Sequence, residues 1–486
     1  MKAETLIILL FFLSFSHSLP TFLRHKWLQR EKYFRHLSSQ DLKLPKDLWF
    51  TQSRDHFREV DTTTWQQRYW VNDSFWDKEN GPVFLMIGGE GEADPKWVVE
   101  GEMMVLAEKY HALAFQLEHR FYGKSQPGAD LSMDYITLLN SRQALEDLAY
   151  FRMNMTTKYN MTDANRWIAF GGSYPGALAA WLRMKYPDIV YGSIASSAPI
   201  QAKFDFYEYF EVVSASLEQA RNGPACVAAI NAAFSLLNKL ILDNSKWASL
   251  DKMFNLTVGL TTPEDGKMLA MSLAGIFAGI VQYNNDSRGS AVYNMSLLCD
   301  VMTNDSISEP IDRLAHLSRS PALFDNDVSF QDYVKFLSNV TIDPAQGDRQ
   351  WTYQTCDSFG YFQTADSPHQ PFGTLFDTAL YTLICNQVFG FTEKDIPVNV
   401  NNTNEFYGGL NFNKTAVTNI VFPNGSIDPW HSLSVTANVS ESVTAVFING
   451  TAHCANMYPA NPYDKPQLVA ARKEIDAILG SWLAKT

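Results

Sequence analysis

The sequence predicts an α/β fold: a mainly parallel sheet flanked by helices and interrupted by a mostly helical insertion. Three observations carry this reading. Short apolar runs alternate with helical patterns in the first part of the chain. The rhythm then turns helical and richer in asparagine, and strand-like runs return towards the end. Strands alternating with helices argue for a parallel sheet covered on both faces.

Taken in order, Lys2 precedes an apolar run from Leu6 to Phe15, with Ser16, Ser18 and Pro20 following. This reads as a signal peptide over residues 1–18. The run is short for a membrane span, so no stable membrane anchor is expected. The sheet domain is then expected at 19–200, the helical cap at 201–400 and the returning sheet domain at 401–486. Residues 68–72, 82–88, 112–118, 166–171 and 189–199 read as strands, with helices over 97–109 and 138–155. Residues 228–242 and 266–283 are apolar at helical spacing and read as buried helices of the cap. Residues 416–425 and 443–450 read as the returning strands. Residues 467–484 read as the closing helix, with Leu468, Ala471, Ile475, Leu479 and Trp482 at helical spacing.

The 486 residues are 46% hydrophobic and 19% charged, a globular composition. A formal net charge of −13 argues against nucleic-acid binding through a basic surface. Asn-x-Ser/Thr recurs from Asn72 to Asn449, which behind a signal peptide points to a glycoprotein of the secretory pathway. The destination stays open between secretion and the lysosome or endosome, as does monomer against homodimer. Five cysteines in an oxidising compartment leave one over, and spacing alone does not fix the pairing.

The stretch "RWIAFGGSYPGALAAWLRMKYP" places Ser173 between a strand and a helix, among small residues. A nucleophile held on a tight strand-to-helix turn is written G-x-S-x-G in α/β-hydrolases. Gly171 and Ser173 fit that pattern, while Pro175 stands at the second glycine position and Gly176 follows. Serine needs a base, and the base needs an orienting acid. The chain order Ser, Asp, His is met by Asp428 in "VFPNGSIDPWHSL" and His453 in "VFINGTAHCANMYP", both in loops after expected strands. Asp428 before Pro429 would equally serve as a helix N-cap. His431 is a rival base too close to Asp428, and His119 precedes the serine and fits the order poorly. The oxyanion donors are expected at the Tyr174 N–H and, from the Gly-rich loop after 82–87, at the Gly89 N–H. No metal or cofactor is required. An esterase would use the same triad, and a non-catalytic binding protein on this scaffold is a third class.

These residues resemble the lysosomal Pro-Xaa carboxypeptidase and dipeptidyl-peptidase II family of serine peptidases. The resemblance rests on "FTQSRDHF", "QRYWVNDSFW", "GPVFLMIGGEGEAD", "LEHRFYGKSQP", "FGGSYPGALAAWLRMKYP", "SIASSAPIQAKFDF", "GDRQWTYQTCDSFG" and "VFPNGSIDPWHSLSV", with His453 beyond them. It implies an α/β-hydrolase domain with a helical cap and a triad of Ser173, Asp428 and His453, acting on peptides. It tolerates Pro175, and it implies the bridges Cys226–Cys299 and Cys356–Cys385, leaving Cys454 free. It also implies a pocket for proline built partly from a methionine four residues after the nucleophile. That position is Ala177 here. Trp430 matches an aromatic wall of the pocket, and Met457 stands where relatives often carry an aromatic, so a reshaped pocket is expected. Glu90 is a candidate partner for a substrate amine, whereas a nearby arginine would instead favour a substrate carboxylate.

Overall fold

The computed structural model describes residues 43–284, 294–411 and 417–484. The expected signal peptide lies outside them. Eight strands form one sheet in the order β1-β2-β4-β3-β5-β6-β9-β10. These are β1 Leu48–Ser53, β2 Thr64–Asn72, β3 Val83–Ile87, β4 Leu113–Leu117, β5 Trp167–Gly172, β6 Gly192–Ser196, β9 Ile420–Gly425 and β10 Val443–Ile448. The pairs β1–β2 and β2–β4 are antiparallel. Every other pair is parallel. The central strands β3, β4, β5 and β6 are apolar or small runs, Gln116 of β4 excepted, because both faces are covered, and their residues are almost all buried. Edge strand β1, "LWFTQS", carried too weak an alternation to be read from sequence; its first four residues alternate between half-buried and exposed, and Gln52 is buried.

Two expected helices move. The one expected over 97–109 is a short 3-10 turn, Pro95–Val98, followed by a helix at Glu102–Tyr110. The break falls at Gly101, whose φ of 100° favours glycine. The one expected over 138–155 runs from Ser141 to Lys158, with the Asn140 side chain accepting from the Gln143 N–H as its N-cap.

The described chain divides into two compact units. Among the described residues, one contains the sheet and comprises those within 43–209, 339–362 and 389–484; the other comprises those within 210–338 and 363–388. The window expected as a cap, 201–400, therefore contains three segments, 201–209, 339–362 and 389–400, that cluster with the sheet. Within the sheet unit, β7 Lys203–Asp205 pairs in parallel with β8 Gly360–Phe362. Neither strand is legible in sequence, because three-residue strands carry no period.

In the second unit the helix Pro263–Gln282 is buried almost throughout, starting from a capping box between Thr262 and Asp265. The helix Gly223–Leu242 departs from the expectation of full burial. Cys226, Ile230, Phe234, Leu237 and Ile241 are buried, whereas Leu236 and Leu242 are exposed. By length and composition alone this helix could cross a membrane. Cys226 is bonded to Cys299. Cys356 and Cys385 are also disulfide-bonded, and Cys454 is free and buried. Among the sequons, Asn424 is buried and donates to Val435 O, which denies a glycan access in the folded chain.

Candidate active site

The loops after the C-terminal ends of β3, β5, β9 and β10 carry Gly89, Ser173, Asp428 and His453. This end of a parallel sheet is where α/β folds place their ligands. Ser173 follows β5 directly and precedes the helix Tyr174–Lys185. Its backbone is strained, with φ 64° and ψ −133°. A non-glycine residue persists in such a conformation only where the surroundings enforce it. Here Ser173 N donates to Ser196 O, and Ser173 O accepts from Ala177 N.

The glycines around the turn are demanded by close approach. A Cβ on Gly171 would stand 2.1 Å from Pro175 O, and one on Gly172 would stand 2.3 Å from Met457 Sδ. A Cβ on Gly176 would stand 2.6 Å from Ser196 O. The close helix-to-strand approach thus falls on Gly176 rather than on position 175. Pro175 sits in the first turn, where its missing N–H costs nothing. It also lies against Gly89, whose Cβ would come within 2.3 Å of Pro175 Cγ.

The Asp428 carboxylate makes two contacts. Its carboxylate caps the 3-10 turn Pro429–Leu433, Oδ1 accepting from the Trp430 N–H at 3.0 Å. The same oxygen lies 2.9 Å from His453 Nδ1, and both side chains are buried. Burial disfavours the imidazolium, but the Asp428 carboxylate outweighs it, with Cys454 adding to the effect. The His453 pKa is thereby held well above its ordinary 6.5. The histidine loop is itself anchored: Cys454 N donates to Ser197 Oγ, and Asn456 Nδ2 donates to Ser196 Oγ. Arg472 of the closing helix donates to Ala455 O, Asn456 O and Tyr458 O, and pairs with Asp464. The structure thus ties the Ser173 turn and the His453 loop to the same end of β6.

The remaining expected residues divide. Tyr174 is the first residue of its helix, so its N–H has no intrahelical acceptor. Gly88 N is spent on Leu117 O, and Gly89 O accepts from Gly91 N. Glu90 is half-buried and acts electrostatically on Tyr122 and Tyr174. Trp430 is buried against Phe206, Tyr209 and Tyr361, with ring centroids 5.4 to 5.8 Å apart. Ala177 is fully buried in the elbow helix. Met457 lines an internal space with Met86, Met103, Phe170 and Ile475, directly behind Gly172. It is not brought into the Trp430 cluster.

An aromatic wall went unread in the sequence. Tyr361 stacks with Phe359 at 5.4 Å, and Tyr174 lies 5.4 Å from Phe359 and 5.8 Å from Trp351. The wall follows a π-helical turn, Thr355–Phe359, and the left-handed backbone of Gly360 and Tyr361. The signal was present in "GDRQWTYQTCDSFG", but its position inside the presumed cap hid its place beside Ser173's neighbour.

His119 is not near the acid; it is buried against Tyr174, with Nε2 3.0 Å from the phenol oxygen. Desolvation depresses its pKa to about 4. Arg120, Asp147, Tyr122 and Tyr174 are the charged and titratable groups around it. Between pH 6.5 and about 4 the unfolded chain takes up a proton here that the folded chain refuses. Stability should therefore fall as pH drops through that window, by up to about 3 kcal/mol. Urea midpoints of wild type and His119→Gln at neutral pH and near pH 4 test this. The variant should lose part of the acid sensitivity, and equal sensitivity in both would refute it.

The sheet order, with a strained serine after β5, an aspartate after β9 and a histidine after β10, defines an α/β-hydrolase. The chain matches the serine carboxypeptidase S28 family over residues 52–475 and belongs to that family, which makes it a serine peptidase. It is 36% identical over 452 residues to the thymus-specific serine protease of Homo sapiens, covering 90% of this chain and 87% of that one. It is 29% identical over 441 residues to the lysosomal Pro-X carboxypeptidase of Mus musculus, covering 87% and 86%. Among solved structures it is similar to a soluble variant of monoglyceride lipase from Saccharomyces cerevisiae, with TM-score 0.36, 11% identity and coverage of 92% and 96%.

Proposed function

We propose that the protein is an exopeptidase of the secretory pathway that cleaves short peptides through Ser173, His453 and Asp428. The observation that carries the reading is the buried His453–Asp428 contact of 2.9 Å, set beside a serine held in a strained backbone. His453 takes the Ser173 proton as Oγ attacks the scissile carbonyl, and Asp428 stabilises the imidazolium so formed. The N–H groups of Tyr174 and Gly89 receive the developing oxyanion. His453 returns the proton to the leaving amine, and water then releases the acyl group by the same steps in reverse order of roles.

The wall of Trp430, Tyr361 and Phe206 supports an apolar residue, proline included, on the acyl side of the cleaved bond. Two carboxylates, Glu90 and Asp348, act on Tyr122, and Glu90 acts on Tyr174 as well. Negative charge here suits a substrate ammonium, and so supports release of short N-terminal fragments rather than single C-terminal residues. Disulfide bonding and the lysosomal relative support the secretory pathway, with the lysosome or secretion as its end.

The test uses a peptide library with free or acetylated N-termini and free or amidated C-termini. Acetylation should abolish cleavage and amidation should leave it unchanged. The reverse pattern would move the assignment to a carboxypeptidase. Absence of a fluorophosphonate adduct on folded protein, at acidic and neutral pH, would move it to a binding role.

A further inference from the structure

The buried chain that runs through the side chain of Tyr174 has a fixed direction of hydrogen bonding. His119 Nδ1 lies 2.7 Å from Arg120 O, which can only accept, so Nδ1 carries the proton. Nε2 of the neutral ring is then an acceptor, and the Tyr174 hydroxyl donates to it at 3.0 Å. That hydroxyl in turn accepts from Gln354 Nε2 at 3.1 Å, and Gln354 Oε1 accepts from the Tyr122 hydroxyl at 2.6 Å. Every member is buried, so no water competes for these groups. The chain is braced at its start, because Arg120 forms a two-point contact with buried Asp147, at 2.6 and 2.7 Å. The Tyr174 ring is further held by Trp351 and Phe359.

We infer that His119 and Gln354 are positioning residues for the oxyanion-binding N–H of Tyr174, gripping its side chain from both sides so that the backbone amide after the nucleophile cannot rotate away. The inference rests on the proposed role of that amide. The physical need is plain. An oxyanion donor contributes to rate only if it is already aimed where charge develops. The turn that presents it is strained, and the tyrosine beside it is clamped by one donor and one acceptor that no single small residue could replace. The chain also links the amide to residues 348–354, the segment that carries Asp348 and Trp351. Occupation of the substrate site against that segment and alignment of the oxyanion donor are thus mechanically joined.

The experiment compares Tyr174→Phe, His119→Leu, His119→Gln and Ser173→Ala for kcat, KM and the rate of fluorophosphonate labelling. Tyr174→Phe keeps the ring and the amide and loses only the clamped hydroxyl. It should lower kcat about tenfold or more with little change in KM, as a misaimed donor does. His119→Leu should do the same. His119→Gln places an amide oxygen where Nε2 accepts, and should recover most of the lost kcat. Labelling should slow in step with kcat while still ending on Ser173. If Tyr174→Phe and His119→Leu keep wild-type kcat while Ser173→Ala is inactive, the positioning role is wrong and the site assignment stands. If His119→Gln is no better than His119→Leu, the acceptor argument fails. If Ser173→Ala retains turnover, the site assignment itself falls.

Discussion

Ser173→Ala should lower kcat about 10⁶-fold relative to wild type, while residual catalysis over water survives from binding and oxyanion donors. The substitution removes the atom proposed to form the acyl-enzyme and touches little else. Ser173 holds its place through backbone atoms, by donation to Ser196 O and acceptance from Ala177 N, and alanine keeps both. Alanine has to adopt φ 64° just as serine does, so the backbone strain is common to both proteins and the fold should keep nearly its full stability. The measurement is turnover of a cleaved library peptide together with intact mass after fluorophosphonate. Wild type should gain one adduct and the variant none. An adduct on the variant would place the nucleophile elsewhere.

Asp428→Asn should lower kcat about 10⁴-fold with the structure nearly unchanged. Asparagine caps a helical turn as well as aspartate does, so the Trp430 N–H keeps its acceptor. What disappears is the charge 2.9 Å from His453 Nδ1. Burial then acts on His453 without its counterweight, and the histidine's pKa should drop from its raised value. The imidazolium formed during attack loses its stabilisation, and the ring can turn the wrong nitrogen towards Ser173. Asp428→Ala should match that kinetic loss and add a melting-temperature drop, because the cap goes as well, at a cost of about 1 kcal/mol. Equal activity of Asp428→Asn and wild type would remove Asp428 from the mechanism and leave it a cap alone.

The site was partly legible because its parts lie at punctuation marks. Gly171, Gly172 and Gly176 crowd one serine between an apolar run and a helix, and only close backbone contact requires so many small residues together. Asp428 and His453 each follow a strand, and local pattern shows that. The aromatic wall was not legible. Trp351 lies on a short helix, Phe359 on a π-helical turn and Tyr361 on a three-residue strand, and pieces this short carry no period that would join them in sequence. Met457 was placed by its spacing from His453 alone, and the structure sets it against Gly172, because a loop's spacing in sequence does not say which way its side chains face.

The sequence by itself determined the order of strands and helices, the glycines of the turn and the Ser, Asp, His order along the chain. Those features are set by local sterics and by the period of apolar residues, which act over a few positions. Only the tertiary structure decided that Asp428 Oδ1 meets His453 Nδ1, that residues 339–362 cluster with the sheet, and that His119 grips Tyr174 rather than serving as a base. Each of these joins residues from 25 to over 200 positions apart. Their meeting depends on the sheet order β5-β6-β9-β10 and on which buried polar atoms must find partners, and neither is encoded within any single segment.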